Sequence, residues 1–413
     1  MSNTPANPPL QNFLHKAINF FGLRRSVVVS LVMVVLVGMG EKMAERFLPI
    51  YILALGGSNI AIGLLNGTDN LLSALYSFPG GYLSDRLGYK RALIVFNLIS
   101  LLGYSIVILF PTWQAVIVGA IFFISWTAIS LPATMDLVAS SLPTNKRTMG
   151  VSMHSLVRRI PMALGPLVGG TLITFYGEKD GIRYAFLVAI ALGILALVLQ
   201  QVMIKEAPRK KKAELNPLKT FAFFSPDLRN LLVSDILIRF CEQIPYAFAV
   251  VWAVNMNGIS PIQFGILTSI EMVTAMLVYI PIAYLADRNT KKPFVFITFI
   301  FFTLFPLVLL FSRNFGMMII AFIIRGLKEF GEPTRKALIM DFAPEDKKAG
   351  VFGLYYLIRD VIVSLAAFGG AFLWNLSPTI NFLTAFGFGV LGSVYFLVFG
   401  RDLSHTPQLT QSR

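Results

Sequence analysis

Charge is what this 413-residue chain has least of: 14% of its residues are Asp, Glu, Lys or Arg, while 56% are hydrophobic. A soluble protein of this length carries about 25% charged residues to coat its surface, so a water-soluble globular fold is excluded. There is one cysteine, Cys241, which rules out an intrachain disulfide. Three histidines and no Cys/His cluster leave no set of metal ligands. The phosphate-cradling GxxxxGK[ST] loop is absent, which argues against nucleotide hydrolysis as an energy source. No cleavable signal peptide is expected, because the first apolar run follows a polar segment and carries no small-residue cleavage site at its end. No nucleophile–base set stands at a recognisable spacing, so an enzyme is not expected. Neither a metal nor a cofactor is expected.

What is present is apolar runs, each long enough to cross a hydrocarbon core of ~30 Å. The sequence predicts twelve spans, near 26–54, 58–82, 91–111, 114–137, 149–176, 183–204, 229–255, 260–286, 293–312, 315–340, 350–375 and 380–400. The net charge of +14 lies in alternate loops, at Arg24–Arg25, Arg86–Arg91, Lys146–Arg147, Arg209–Lys212, Arg288–Lys292, Lys347–Lys348 and Arg401. The opposite loops hold only Lys179, Arg183 and Arg313 as bases. That asymmetry places both termini in the cytoplasm, in a cell membrane and by expectation a bacterial inner membrane. It also argues against nucleic acid, which would need a continuous basic face.

The chain is internally duplicated. Pro79-Gly80-Gly81-Tyr82-Leu83-Ser84-Asp85-Arg86 recurs as Pro281-Ile282-Ala283-Tyr284-Leu285-Ala286-Asp287-Arg288, and the same offset of 202 pairs Ser58 with Ser260, Gly63 with Gly265 and Asp69 with Glu271. Repeats of this kind mark secondary transporters. The expected organisation is a cytoplasmic tail (1–25, with apolar residues at helical spacing over 10–21 for an interfacial helix), a six-helix bundle (26–204), a basic loop (205–228), a second six-helix bundle (229–400) and a cytoplasmic tail (401–413).

Within the repeat, Gly81 allows close helix packing and Gly88 a tight turn, while Asp85 can accept from a helix N-terminus. Arg86, Lys90 and Arg91 can pair with carboxylates or lipid phosphates. With the twelve spans and the duplication, this stretch resembles motif A of the major facilitator superfamily, G-x-L-x-D-R-x-G-R-K/R-K/R, and the resemblance covers essentially the whole chain. It implies an all-α membrane fold of two pseudo-symmetric six-helix bundles working by alternating access. It also implies a cytoplasmic gate of Gly81, Asp85, Arg86, Gly88, Lys90, Arg91, Asp287 and Arg288. Asp136 and Asp341, at corresponding cytoplasmic ends of spans four and ten, would pair with a motif base. The ninth motif position, usually basic, is Tyr89. Gly165-Pro166-Leu167-Val168-Gly169-Gly170 in span five looks like the core of motif C, associated with antiporters. Read physically, it is also a packing motif, and Gly169-Gly170 recurs as Gly369-Gly370.

An ionisable side chain at a helix centre costs about 2.5–3.5 kcal/mol on insertion scales, yet the spans contain many. One reading pairs acids with bases across helices; Arg325 with Glu329 and Lys328 with Glu332 are also four apart. A second makes Glu329, Asp69, Glu41 and Glu271 proton carriers, with Asp69 about 16 Å along its helix and near the midplane. A third makes Arg159, Arg239, Arg325 and Arg359 a binding set for an anionic substrate. The functional expectation is proton-coupled export of a small organic or lipophilic solute by a monomer in the lipid bilayer. Two alternatives stand beside it: uptake or exchange of an organic anion, and a non-transporting sensor or lipid-moving protein.

Overall fold

The computed structural model describes residues 25–123, 130, 157–203, 224–287, 290–344 and 348–402. The expected interfacial helix and the core of the basic loop lie outside these residues. The described fold is all-α. Its elements are α1 (Arg25–Glu45), α2 (Leu48–Ala54), α3 (Asn59–Leu87), α4 (Tyr89–Leu109), α5 (Trp113–Phe123), α6 (Arg159–Met203) and α7 (Pro226–Tyr246). They continue with α8 (Phe248–Val251), a π-helical turn (Trp252–Met256), α9 (Pro261–Asp287), α10 (Lys292–Phe311), α11 (Phe315–Leu327), α12 (Glu332–Asp341), α13 (Lys348–Leu376) and α14 (Pro378–Phe399).

Among the described residues six helices are long and apolar enough to cross a membrane unaided, and a seventh span forms if the pair α7 and Phe248–Met256, bent by 41°, is counted as one. Several expected spans are therefore interrupted. Span one breaks between α1 and α2, span seven at Ala247, and span ten between α11 and α12. Proline accounts for each break: Pro49 and Pro333 sit at the first positions of α2 and α12, and Pro245 lies one residue before the end of α7. A proline is tolerated at a helix start but removes a hydrogen bond from a helix interior. Spans five and six run on as α6, interrupted at Gly177.

The repeat is visible in the backbone. Span one leaves its helix at Gly56 with φ 82°, and span seven at Gly258 with φ 67°, again 202 residues apart. Only glycine adopts such angles without a Cβ penalty, so the same turn closes the first span of each copy.

The chain divides into two compact units, Met1–Lys212 with Ala253–Ser269, and Ala213–Trp252 with Ile270–Arg413. In the first, α1 packs along α6 through small residues. A Cβ at Gly38 would sit 2.9 Å from Pro161, and one at Gly165 would sit 2.7 Å from the Lys42 side chain. A Cβ at Gly169 would overlap the Met43 carbonyl, and one at Gly170 the Pro261 carbonyl. In the second unit Gly370 packs on the Ile244 carbonyl, whereas Gly369 faces open space. Gly169→Ala is therefore expected to destabilise the protein by about 1–3 kcal/mol through overpacking. Gly369→Ala should be neutral or stabilising by up to about 1 kcal/mol, from helix propensity alone. Unfolding midpoints of the two variants in one detergent check this.

Candidate functional site: an alternating chain of charges

The second unit holds ten charged side chains in one continuous series. Asp360 accepts from Arg359 at 2.7 Å, and Arg359 reaches Asp235 at 3.3 Å. Asp235 pairs with Arg335, which pairs with Glu332 at 2.5 Å. Glu332 meets Arg239 at 3.2 Å, and Arg239 meets Glu242 at 2.6 Å. Glu242 meets Lys328 at 2.6 Å, Lys328 lies 3.7 Å from Glu271, and Glu271 ends the series on Arg325 at 3.2 Å. Along this path acids and bases alternate, five of each, and the half-exposed Lys336 branches off Glu332 at 3.9 Å as a sixth base.

The elements dictate this arrangement. Asp235, Arg239 and Glu242 share one face of α7, at spacings of four and three. Arg359 and Asp360 come from α13, and Glu271 from α9. Lys328 lies just beyond α11, and Glu332 begins α12, so the interruption of span ten delivers a base and an acid to α7 together. It also separates the two ends of each expected four-apart pair. Lys328 and Glu332, instead of facing each other on one helix, reach Glu242 and Arg239 on α7. Irregular backbone at membrane depth is tolerated where it is buried in protein in this way.

Aromatic rings complete the setting. The Arg325 guanidinium lies over Phe305 (4.9 Å), Tyr246 (5.3 Å) and Phe322 (5.6 Å), and Arg359 lies over Tyr356 at 4.2 Å. Tyr355 donates to Asp235 at 3.1 Å. Such rings attract a desolvated cation by about 2 kcal/mol. Arg335, 1% exposed, is among the largest side chains wholly buried in the structure.

The first unit is wired differently. Lys42 donates to Glu41 at 3.0 Å and also to Glu45. Asp69, on α3, accepts from Ser73 at 3.3 Å. Among the described residues no Lys or Arg nitrogen lies within ion-pair distance of Asp69. Its repeat partner Glu271 faces both Arg325 and Lys328.

At the repeat motifs, Gly88 caps α4 with φ 82°. Lys90 donates to the Gln201 carbonyl at the end of α6 (3.0 Å), and its counterpart 202 residues on, Lys292, donates to the Leu397 carbonyl near the end of α14 (2.9 Å). Each lysine thus caps the final helix of its copy, where carbonyls lack partners and the helix dipole is negative. Lys291, the counterpart of Tyr89, pairs with Asp341. Gly81 and Asp85 fall near the end of α3 and Asp287 ends α9, while Arg86 and Arg91 are exposed. Asp136 and Arg288 lie outside the described residues.

Of the arginines expected to hold an anion, Arg239, Arg325 and Arg359 all belong to the series and contact carboxylates, while Arg159 starts α6 in the first unit. Of the expected proton carriers, Glu41 is buried, Asp69 half-buried, Glu271 lies in the series and Glu329 in the turn after α11. Sequence reasoning did not single out Asp235 and Arg335. Their signal was the spacing of 235, 239 and 242, one face of α7, and of 325, 328, 332 and 335, which has the period of one helix face in the sequence although the break before α12 divides it.

A sequence profile of the Major Facilitator Superfamily matches residues 30–256 and 231–412. The chain belongs to that superfamily. An uncharacterized MFS-type transporter, MJ1317 of Methanocaldococcus jannaschii, is 25% identical over 84% of this chain and 87% of its own length. The multidrug resistance protein MdtG of Proteus mirabilis is 24% identical over 90% of this chain and 94% of its own. Among solved structures, the nucleoside transporter NupG superposes with a TM-score of 0.77 at 12% identity, covering 91% of this chain and 99% of NupG. This major facilitator chain is accordingly a multi-pass membrane transporter of small solutes, and not an enzyme.

Proposed function

We propose that the protein exports a small organic or lipophilic solute by alternating access, driven by protons entering through Asp69. One observation carries the reading. Asp69 is the acid of its repeat position that has no cation within ion-pair distance among the described residues, whereas Glu271, at the equivalent position, has two. A membrane carboxylate without a counter-charge gains most from binding a proton, and one held between two bases gains least. The likeness to MdtG, a multidrug resistance protein, supports export and a drug-like cargo. The motif C resemblance at Gly165–Gly170 supports antiport.

Arg239, Arg325 and Arg359 are each occupied by carboxylates, which favours a neutral or cationic amphipathic cargo over an organic anion. The test uses purified protein in liposomes with an imposed pH gradient and an internal pH dye, challenged with pools of lipophilic cations and of metabolites. Solute-evoked proton flux from the cation pool is the expected result. Solute movement indifferent to collapse of the pH gradient would overturn proton coupling, and flux evoked only by organic anions would overturn the cargo class.

A further inference from the structure

We propose that the turn between α10 and α11 is a binding site for an anionic phospholipid, with Arg313 taking the phosphate and an apolar groove beside it taking an acyl chain. The groove has a cavity volume of about 240 Å³ and is lined by Leu307, Val308, Phe311, Ser312, Met317 and Ile320. Its one polar side chain is turned inward: the Ser312 hydroxyl donates to the carbonyls of Val308 (2.8 Å) and Met317 (3.3 Å). The lining therefore offers water no partners, and only an apolar occupant gains by entering. Phe311, Met317 and Ile320 are 62%, 40% and 57% exposed, so the groove opens toward the bilayer.

Arg313 follows the groove residue Ser312 directly and is exposed. Among the described residues no carboxylate lies within ion-pair distance of it. Its guanidinium stands 4.7 Å over the Trp252 ring. That ring is itself fixed, with its indole N–H donating to the Leu309 carbonyl at 3.0 Å and its edge packed on Phe382 and Trp374. The cation is thus held in place while keeping N–H groups for an oxyanion. The first turn of α11, capped by Asn314 through Met317, adds the positive end of a helix dipole in the same turn. An exposed, oriented cation next to a bilayer-facing apolar groove matches the phosphate and tail of one lipid molecule. Charge complementarity selects an anionic headgroup over a zwitterionic one.

The test is native mass spectrometry of the detergent-purified protein with added phosphatidylglycerol or phosphatidylcholine of the same chain length. Wild type should retain more phosphatidylglycerol than phosphatidylcholine. Arg313→Gln should reduce the retained phosphatidylglycerol by one molecule, and Arg313→Lys should restore it. Ile320→Trp, at an exposed position, should fill the groove and lose the same molecule with its unfolding midpoint unchanged. Equal retention of the two lipids, or a wild-type count in either Arg313→Gln or Ile320→Trp, would overturn the site.

Discussion

Asp69→Asn is expected to give a folded protein in which solute-evoked proton flux is lost, while Glu271→Gln, at the equivalent position of the second copy, is expected to give a protein that folds poorly. The contrast follows from the two environments. An amide oxygen in place of the Asp69 carboxylate can still accept from Ser73, and no buried base is left without its acid. Stability should therefore stay within about 1 kcal/mol of wild type. Glu271 is different. Its loss leaves Arg325, 3% exposed, without the carboxylate it pairs with at 3.2 Å, and takes from Lys328 one of its two acids. Stranding a buried charge costs about 3–5 kcal/mol. Flux in liposomes and unfolding midpoints, measured on both variants, separate the two roles. Normal flux in Asp69→Asn would remove Asp69 from the mechanism, and a stable Glu271→Gln would show that the series tolerates a gap.

Arg335→Leu should be among the most damaging single substitutions in the second unit, again by about 3–5 kcal/mol, because Asp235 and Glu332 both pair with it. The double variant Asp235→Asn with Arg335→Leu should recover part of that loss. Removing an adjacent acid and base cuts the series into Arg359–Asp360 and a remainder from Glu332 to Arg325 that keeps three acids and three bases, with Lys336 beside Glu332. Removing two acids, as in Asp235→Asn with Glu271→Gln, should give no recovery. A double-mutant cycle on unfolding free energy reads the coupling, expected at about 0.5–3 kcal/mol for residues in one network. Strict additivity would contradict the continuous series.

The sequence carried the helical plan well, because a bilayer demands apolar runs of fixed length and little else produces them. Runs such as 293–312 and 380–400 differ from α10 and α14 by a residue or two. The interruptions at spans one, seven and ten were harder to read. Their signal is a single proline each, which reads equally as a kink within a continuous helix. The pairing of charges was less legible still. Spacing along one helix shows that Arg239 and Glu242 share a face, but not that α12 delivers Glu332 to it. Partners 93 residues apart are set by packing between helices, to which local periodicity is blind. The duplication supplied the one long-range inference available: the offset of 202 sets Lys90 beside Lys292 as equivalents, and both cap final helices.

The equal count of acids and bases between Asp360 and Arg325 has an electrical consequence. Carrying one elementary charge through a potential of 100 mV takes about 2.3 kcal/mol. Ten charges that sum to zero feel no net force from a uniform field when displaced together, so voltage acts on them only through their dipole and through Lys336 beside Glu332. Net charge that responds to voltage in translation lies outside those ten, in Lys336 and in whatever charge the cargo carries.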